Sequence, residues 1–150
     1  MSRRLNRREA LATGVAAFAA GVASAPRPAR ALNDYAEQIV KFTGGKMPAE
    51  GRVKLELPEL AENGNTVPLS VAVDGPSGEG VYVQEILVVA PANPNARVIR
   101  FRFSSMSIPE ASTRVRLAET QDVIAVARMS DGTFFSASRQ IKVTIGGCGG

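Results

Sequence analysis

The residue in this chain best suited to nucleophilic chemistry is Cys148, its single cysteine, set in the run T-I-G-G-C-G-G at residues 144–150. A thiolate attacks carbon, sulfur and metal centres, but a catalytic cysteine normally has a base beside it to make the thiolate. Here the neighbours are Gly146, Gly147, Gly149 and Gly150, and the nearest cation in sequence is Lys142. The chain has no histidine at all. That excludes Ser-His-Asp and Cys-His machinery and removes the commonest zinc and copper ligand. Carboxylates remain, yet Glu56, Glu59 and Glu62 flank prolines and turns, as solvated surface charges do. The glycines of residues 75–80 lack the following helix of a phosphate-binding loop. We therefore expect no catalytic residue, no metal and no cofactor, and a protein that is not an enzyme by itself.

The thiol admits few roles. Prenylation needs a cysteine fourth from the end, a lipoprotein cysteine would sit at the signal cleavage site, and a metal would need further soft ligands. A buried core thiol is implausible among four glycines, which offer no packing and cost much order. A conjugation tag would need no export signal. Two readings stay open: a carrier thiol that binds its cargo covalently, and a permanent intermolecular disulfide that staples two chains. With a pKa near ~8.5, only a few per cent of such a thiol is ionised at neutral pH, so activation must come from a partner. Glycine gives clearance in a narrow channel. At ~3.3 to 3.6 Å per residue the sulfur would stand roughly 10 Å beyond a strand ending at Ile145. Residues 146–150 are thus expected to form a flexible arm.

The opening of the chain predicts where this thiol works. Arginines at positions 3, 4, 7 and 8 precede an Ala/Gly-rich apolar stretch at residues 10–25 and an A-x-A site at residues 29–31. That is the order of a secretory signal, with Arg7 and Arg8 placed as a twin-arginine pair although Ala10 replaces the usual aromatic. Residues 1–31 are expected to be the signal peptide, and the periplasm the destination. An amphipathic helix of the folded domain is the alternative. The charge is +4 overall, but the first 31 residues hold six arginines and one acidic residue. What remains, 12 basic and 13 acidic groups, is near −1. With no Trp and no basic patch interleaved with aromatics, nucleic-acid binding is excluded as an expectation. No apolar run reaches the ~18 residues of a membrane span.

Residues 33–42 predict a short helix, capped by Asn33 or Asp34, with Tyr35, Ile39 and Phe42 on one face and Gly44-Gly45 as its stop. Thereafter the period becomes two. Strands are predicted at residues 53–57, 67–73, 82–90, 97–103, 113–118, 122–129 and 138–145, separated by turns at 62–65, 75–80, 91–95 and 130–132. Residues 82–90 are apolar on both faces, as in a central strand. Leu69, Val71 and Val73, and then Ile99, Phe101 and Phe103, are expected to point inward. About seven short strands argue for an all-β, immunoglobulin-like antiparallel sandwich over residues 32–145, with a small barrel as the rival.

At this point three segments carry a resemblance. V-T-I-G-G-C-G-G at residues 143–150 resembles the substrate-binding tail of the SoxY family of bacterial thiosulfate oxidation. L-P-E-L-A-E-N-G-N-T-V-P-L-S-V at 57–71 and R-L-A-E-T-Q-D-V-I-A-V-A-R-M-S-D-G at 116–132 resemble family segments, as does the leader. The resemblance implies an immunoglobulin-like sandwich paired with SoxZ, a second small β protein, in a heterodimer. It implies that Cys148 is the covalent attachment point and that Gly146, Gly147, Gly149 and Gly150 form the arm. It further implies that the heme enzyme SoxAX couples thiosulfate to the cysteine as an S-thiosulfonate. SoxB, a manganese hydrolase, would release sulfate to leave a persulfide, and SoxCD would oxidise the outer sulfur in some organisms. A disulfide-linked dimer through Cys148 is an expected side product of such an exposed thiol.

Overall fold

In the computed structural model, residues 34–75 and 80–147 are described. The expected leader at residues 1–31, the helix cap Asn33, and Cys148, Gly149 and Gly150 lie outside the described residues. The element order is α1 (Tyr35–Thr43), β1 (Ala49–Glu50), β2 (Val53–Glu56), β3 (Leu60–Asn63), β4 (Val67–Val73), β5 (Val83–Val89), β6 (Arg97–Arg102), β7 (Glu110–Val115), β8 (Gln121–Met129) and β9 (Phe134–Ile145). Two separate sheets form. The larger runs β1-β9-β8-β5-β6, with β3 also on β9, and the smaller runs β2-β4-β7. This is an open sandwich rather than a closed barrel, mostly antiparallel, and the immunoglobulin-like class expected from the strand pattern holds.

Alternation explains the core between the sheets. In β4, Val67, Leu69, Val71 and Val73 are buried while the residues between them are not. They meet Ile86, Val88, Val123, Ala125, Ala127, Met129 and Ile141 from the larger sheet. A second, smaller cluster lies on the other face of that sheet, where Leu87, Val89, Val126 and Phe134 are covered by Phe42 of α1. The Phe42 and Phe134 rings meet edge to face, with centroids 6.0 Å apart. Because α1 roofs the sheet, β5 is buried on both faces, which is why its sequence is continuously apolar.

The differences from the expected elements have local causes. The helix begins at Tyr35 and ends with Gly44 in the left-handed conformation (φ 64°). Asp34 occupies the cap position but its side chain caps no backbone N–H and instead accepts a bond from Gln38 at 2.7 Å. Tyr35 is not inward as expected, being 37% exposed, so Ile39 and Phe42 carry the buried face. Among the described residues nine strands replace seven, because β1 and β3 are too short and too polar to show a period. Both add in parallel to one side of β9. The strand expected at 113–118 is β7 at Glu110–Val115. Its hydrophobic alternation carries on to Leu117, which is fully buried after the chain has left the sheet. β9 starts four residues before the expected position, since consecutive Phe134 and Phe135 serve the two opposite faces and hide the period. Ile99, Phe101 and Phe103 do pack inward, but only half-buried, since β6 has a neighbour on one side alone.

The turns at 62–65, 91–95 and 130–132 follow their signals, while residues 76–79 of the turn expected at 75–80 lie outside the described residues. In the 130–132 turn, Asp131 accepts both the N–H and the O–H of Thr133, at 2.9 and 2.6 Å. These bonds hold its carboxyl below its ordinary value of 3.8. A depressed carboxyl stabilises the fold above its ordinary value and loses that contribution as pH falls through the folded-state value. No described helix is long and apolar enough to cross a membrane.

Candidate functional site

The segment that leads to Cys148 is the end of β9. That strand outlasts its neighbour: β8 begins at Gln121, opposite Ile141, so residues 142–145 of β9 must find other partners. On one side β3 supplies them, with Leu60 opposite Lys142 and Asn63 opposite Ile145. On the other, the Thr120 hydroxyl accepts the Val143 N–H at 2.9 Å. The strand is thereby carried beyond the body of its sheet.

Past Ile145 the backbone is still held. The Gly64 N–H donates to the Ile145 carbonyl at 2.8 Å, the Leu117 N–H donates to the Gly64 carbonyl at 2.8 Å, and the Gly147 N–H donates to the Leu117 carbonyl at 2.9 Å. Gly64 and Leu117 form a bracket around the base of the arm. The approach is so close that side chains do not fit. A Cβ at Gly64 would overlap the Leu117 carbonyl oxygen and stand 2.6 Å from the Gly147 nitrogen. A Cβ at Gly146 would overlap the Ala118 carbonyl, and one at Gly147 would lie 2.8 Å from the Gly64 oxygen. Gly147 is buried. Of the arm expected at residues 146–150, only Gly146 and Gly147 are described, and both lie against this chain's own backbone. Among the described residues, Gly146 and Gly147 belong to the fold, and their lack of a side chain answers contacts within this chain.

A polar network fixes the bracket in turn. Asn93 donates from Nδ2 to the Arg116 carbonyl at 2.8 Å and accepts from the Ala118 N–H at 2.9 Å. Gln121, buried, donates from Nε2 to Asn93 Oδ1 and to the Glu119 carbonyl, both at 3.1 Å, while its Oε1 accepts from the Ala92 N–H. Asn63 caps the turn at 62–65 by accepting the Asn65 N–H at 2.9 Å. Replacing Asn93 with alanine leaves the Arg116 carbonyl and Ala118 N–H short of partners. We expect it to cost about 1 to 2 kcal/mol in a denaturant titration and to speed amide exchange at Leu117.

Sequence reasoning found Cys148 and its glycines but not Gly64, Asn93, Leu117 or Gln121. The N-G-N and N-P-N turn signals marked two of these sites as turns only. No group of residues suited to a metal occurs among the described residues. Glu56, Glu59 and Glu62 are exposed, as expected of surface charges. A groove of about 470 Å³ beside β9 sets Glu59 against Arg139 and Lys142 and pairs no nucleophile with a base. What is built among the described residues is a backbone bracket at the base of the segment that leads to Cys148.

Comparison with known proteins agrees with this geometry. Residues 39–148 match the family model of SoxY, described as sulfur oxidation protein SoxY, and the match runs to Cys148 itself. The structure of the sulfur carrier protein SoxY from Chlorobium limicola f thiosulfatophilum is 33% identical, covering 73% of this chain and 96% of that one, with a TM-score of 0.61. A superoxide reductase (neelaredoxin) from Ignicoccus hospitalis is 18% identical over 62% of this chain and 80% of its own, with a TM-score of 0.54. A putative superoxide reductase from Thermotoga maritima is 20% identical over 68% and 89%, with a TM-score of 0.53. These two share the fold alone. No curated protein sequence matches the chain.

Proposed function

This chain belongs to the SoxY family of sulfur oxidation proteins, and from that premise we propose that it carries sulfur intermediates of thiosulfate oxidation covalently on Cys148. The observation that carries the reading is a lone thiol, without histidine or base, following a strand that the fold mounts rigidly at its own end. The chain supplies the attachment atom and its position, and the reactive chemistry is left to partners. The resemblance names these as SoxAX, SoxB and SoxCD, with SoxZ as the standing companion, in a periplasm reached by the twin-arginine route.

The steps balance. Loading joins the Cys148 sulfur to the outer sulfur of thiosulfate. The thiol proton is released, and an electron pair passes to the oxidising heme partner. Hydrolysis then places water oxygen on the terminal sulfone, which leaves as sulfate, and the sulfur kept on the protein is a persulfide. Loading needs the Cys148 thiolate and hydrolysis needs attack on the terminal sulfone of its adduct, and the groups that promote both belong to other proteins. Nothing in its own sequence neighbourhood promotes ionisation, which keeps the unloaded thiol quiet between visits.

Intact-mass spectrometry of the protein purified without reductant tests this directly. Thiosulfate with the oxidising partner should add a thiosulfate-derived mass on Cys148, and the same spectrum should show removal of residues 1–31. A competent partner that adds no mass would overturn the carrier reading. So would a cysteine locked in a disulfide that resists mild reductant, which is the mark of a structural staple. A second expectation concerns pH. The rate at which a small electrophile labels Cys148 should rise about tenfold per unit up to ~8.5, as for an unactivated thiol. A plateau reached well below neutrality would show local activation that the proposal does not contain.

A further inference from the structure

Two amide side chains, buried Gln121 and half-buried Asn93, stand where the end of β9 leaves the body of its sheet. Asn93 rides on the loop between β5 and β6. That loop is pinned at its base, where the Ala90 N–H donates to the Ala96 carbonyl at 2.8 Å and both alanines are fully buried. Withdrawing amides from water costs free energy unless their polar atoms are matched. Here the matched groups belong to loops, and their arrangement is specific. A planar trans peptide points its N–H and its C=O in opposite directions. Two such units flank the Leu117 Cα. In the first, the Arg116 carbonyl accepts from Asn93 Nδ2 while the Leu117 N–H donates to Gly64. In the second, the Ala118 N–H donates to Asn93 Oδ1 while the Leu117 carbonyl accepts the Gly147 N–H. Asn93 therefore holds the back of both peptide planes whose fronts grip Gly64 and Gly147. Gln121 sets the amide the right way round, since its Nε2 donates to the same Asn93 oxygen and its own Oε1 is held by the Ala92 N–H.

We infer that Asn93 is a positioning residue for the loading reaction: by orienting the two peptide planes around Leu117 it fixes Gly147, and with it the point from which Cys148 follows. Cys148 comes one Cα step of ~3.8 Å after Gly147. With the hold lost back to Ile145 there are three such steps, ~11 Å. The volume open to the thiol grows roughly as the cube of that reach, about 25-fold, so its local concentration at a docked active site falls on the order of tenfold. Asn93 touches neither the thiol nor its cargo, and acts through Leu117 and Gly147 alone. This deepens the carrier reading and rests on it for the reaction.

The test follows thiosulfate loading by intact mass, using the full chain with its companion and the oxidising partner. Varying the carrier concentration separates kcat from KM. Asn93→Ala should lower kcat about tenfold and leave KM within twofold, because the docking surface is kept and only the placement of the thiol is lost. Asn93→Asp keeps the acceptor for Ala118, loses the donor to Arg116, and should fall between. Val71→Ala is the control for stability: it truncates the core between the sheets, away from the bracket, and should lower the thermal midpoint while loading at the parent's kcat. A small electrophile should label Cys148 at the parent's rate in every variant. Parent-like kcat in Asn93→Ala would overturn the inference. So would an equal loss of kcat in Val71→Ala, since instability would then suffice, or altered labelling, since Asn93 would then act on the thiol's reactivity. If Asn93→Ala does not fold, Asn93→Asp decides by the same comparison. The two readings fail separately. A parent that loads while both Asn93 variants match it sinks this inference alone, whereas a parent that never loads sinks the carrier and this inference with it.

Discussion

Cys148→Ser is expected to reduce thiosulfate oxidation in the reconstituted system to the level seen without this protein, and to leave the fold untouched. The replacement changes one atom, yet it removes the whole cargo chemistry. A serine hydroxyl is a far weaker nucleophile unless a base takes its proton, and the chain has no histidine to do so. Oxygen also cannot replace sulfur in the sulfur–sulfur bond that oxidative coupling must form. Mass spectrometry should find no thiosulfate-derived addition on the variant. Its thermal midpoint should match the parent, because the core clusters and the bracket are complete without the cysteine side chain. A variant that sustains oxidation normally would end the carrier proposal. One that unfolds would instead point to the structural staple.

Gly64→Ala should have a large effect on the fold, although position 64 is far from Cys148 in sequence. Its Cβ would overlap the Leu117 carbonyl, a backbone atom with no rotamer to yield. Overpacking of this kind costs about 1 to 3 kcal/mol. The shift also weakens the bonds that Gly64 exchanges with Ile145 and Leu117, each worth roughly 1 kcal/mol. A loss of about 3 kcal/mol is expected in a denaturant titration. Freed amides at Leu117 and Gly147 should exchange faster, and cargo loading should change with them. While Gly147 keeps its bond to Leu117, the three residues from Cys148 onward span at most ~11 Å, and release back to Ile145 would lengthen this to ~18 Å. Gly149→Ala provides the contrast and should leave the denaturation midpoint unchanged. If Gly64→Ala proved as stable as the parent with unaltered exchange at Gly147, the bracket would not be the mount we describe.

The same positions show what was legible beforehand. The alternation of β4 and the two-faced apolar run of β5 were plain, because each records a burial pattern that a strand's period of two converts directly into sequence. The missing histidines and the lone cysteine were compositional facts, and they made a carrier thiol the expectation rather than a catalytic one. β1 and β3 were not legible, since they exist by adding to β9 and show no period of their own. Leu117 misled the prediction of β7, because a buried side chain after the strand continues the alternation of the strand itself.

The glycines beside the cysteine divide the two kinds of knowledge most clearly. By itself the sequence determined the fold class, the thiol, its lack of a local base and the family likeness, all of which follow from residue identity and periodic order. Only the tertiary structure decided that Gly146 and Gly147 are parts of a bracket closed by Gly64, Leu117 and Asn93. The segments at 57–71, 116–132 and 143–150 that carry the likeness are 44 and 10 residues apart in sequence, and the fold joins Gly64, Leu117 and Gly147, one from each, at this bracket. The physical reason is that a carbonyl oxygen within overlap distance of a missing Cβ is a long-range contact. No local pattern records which distant backbone a glycine has been left bare to admit.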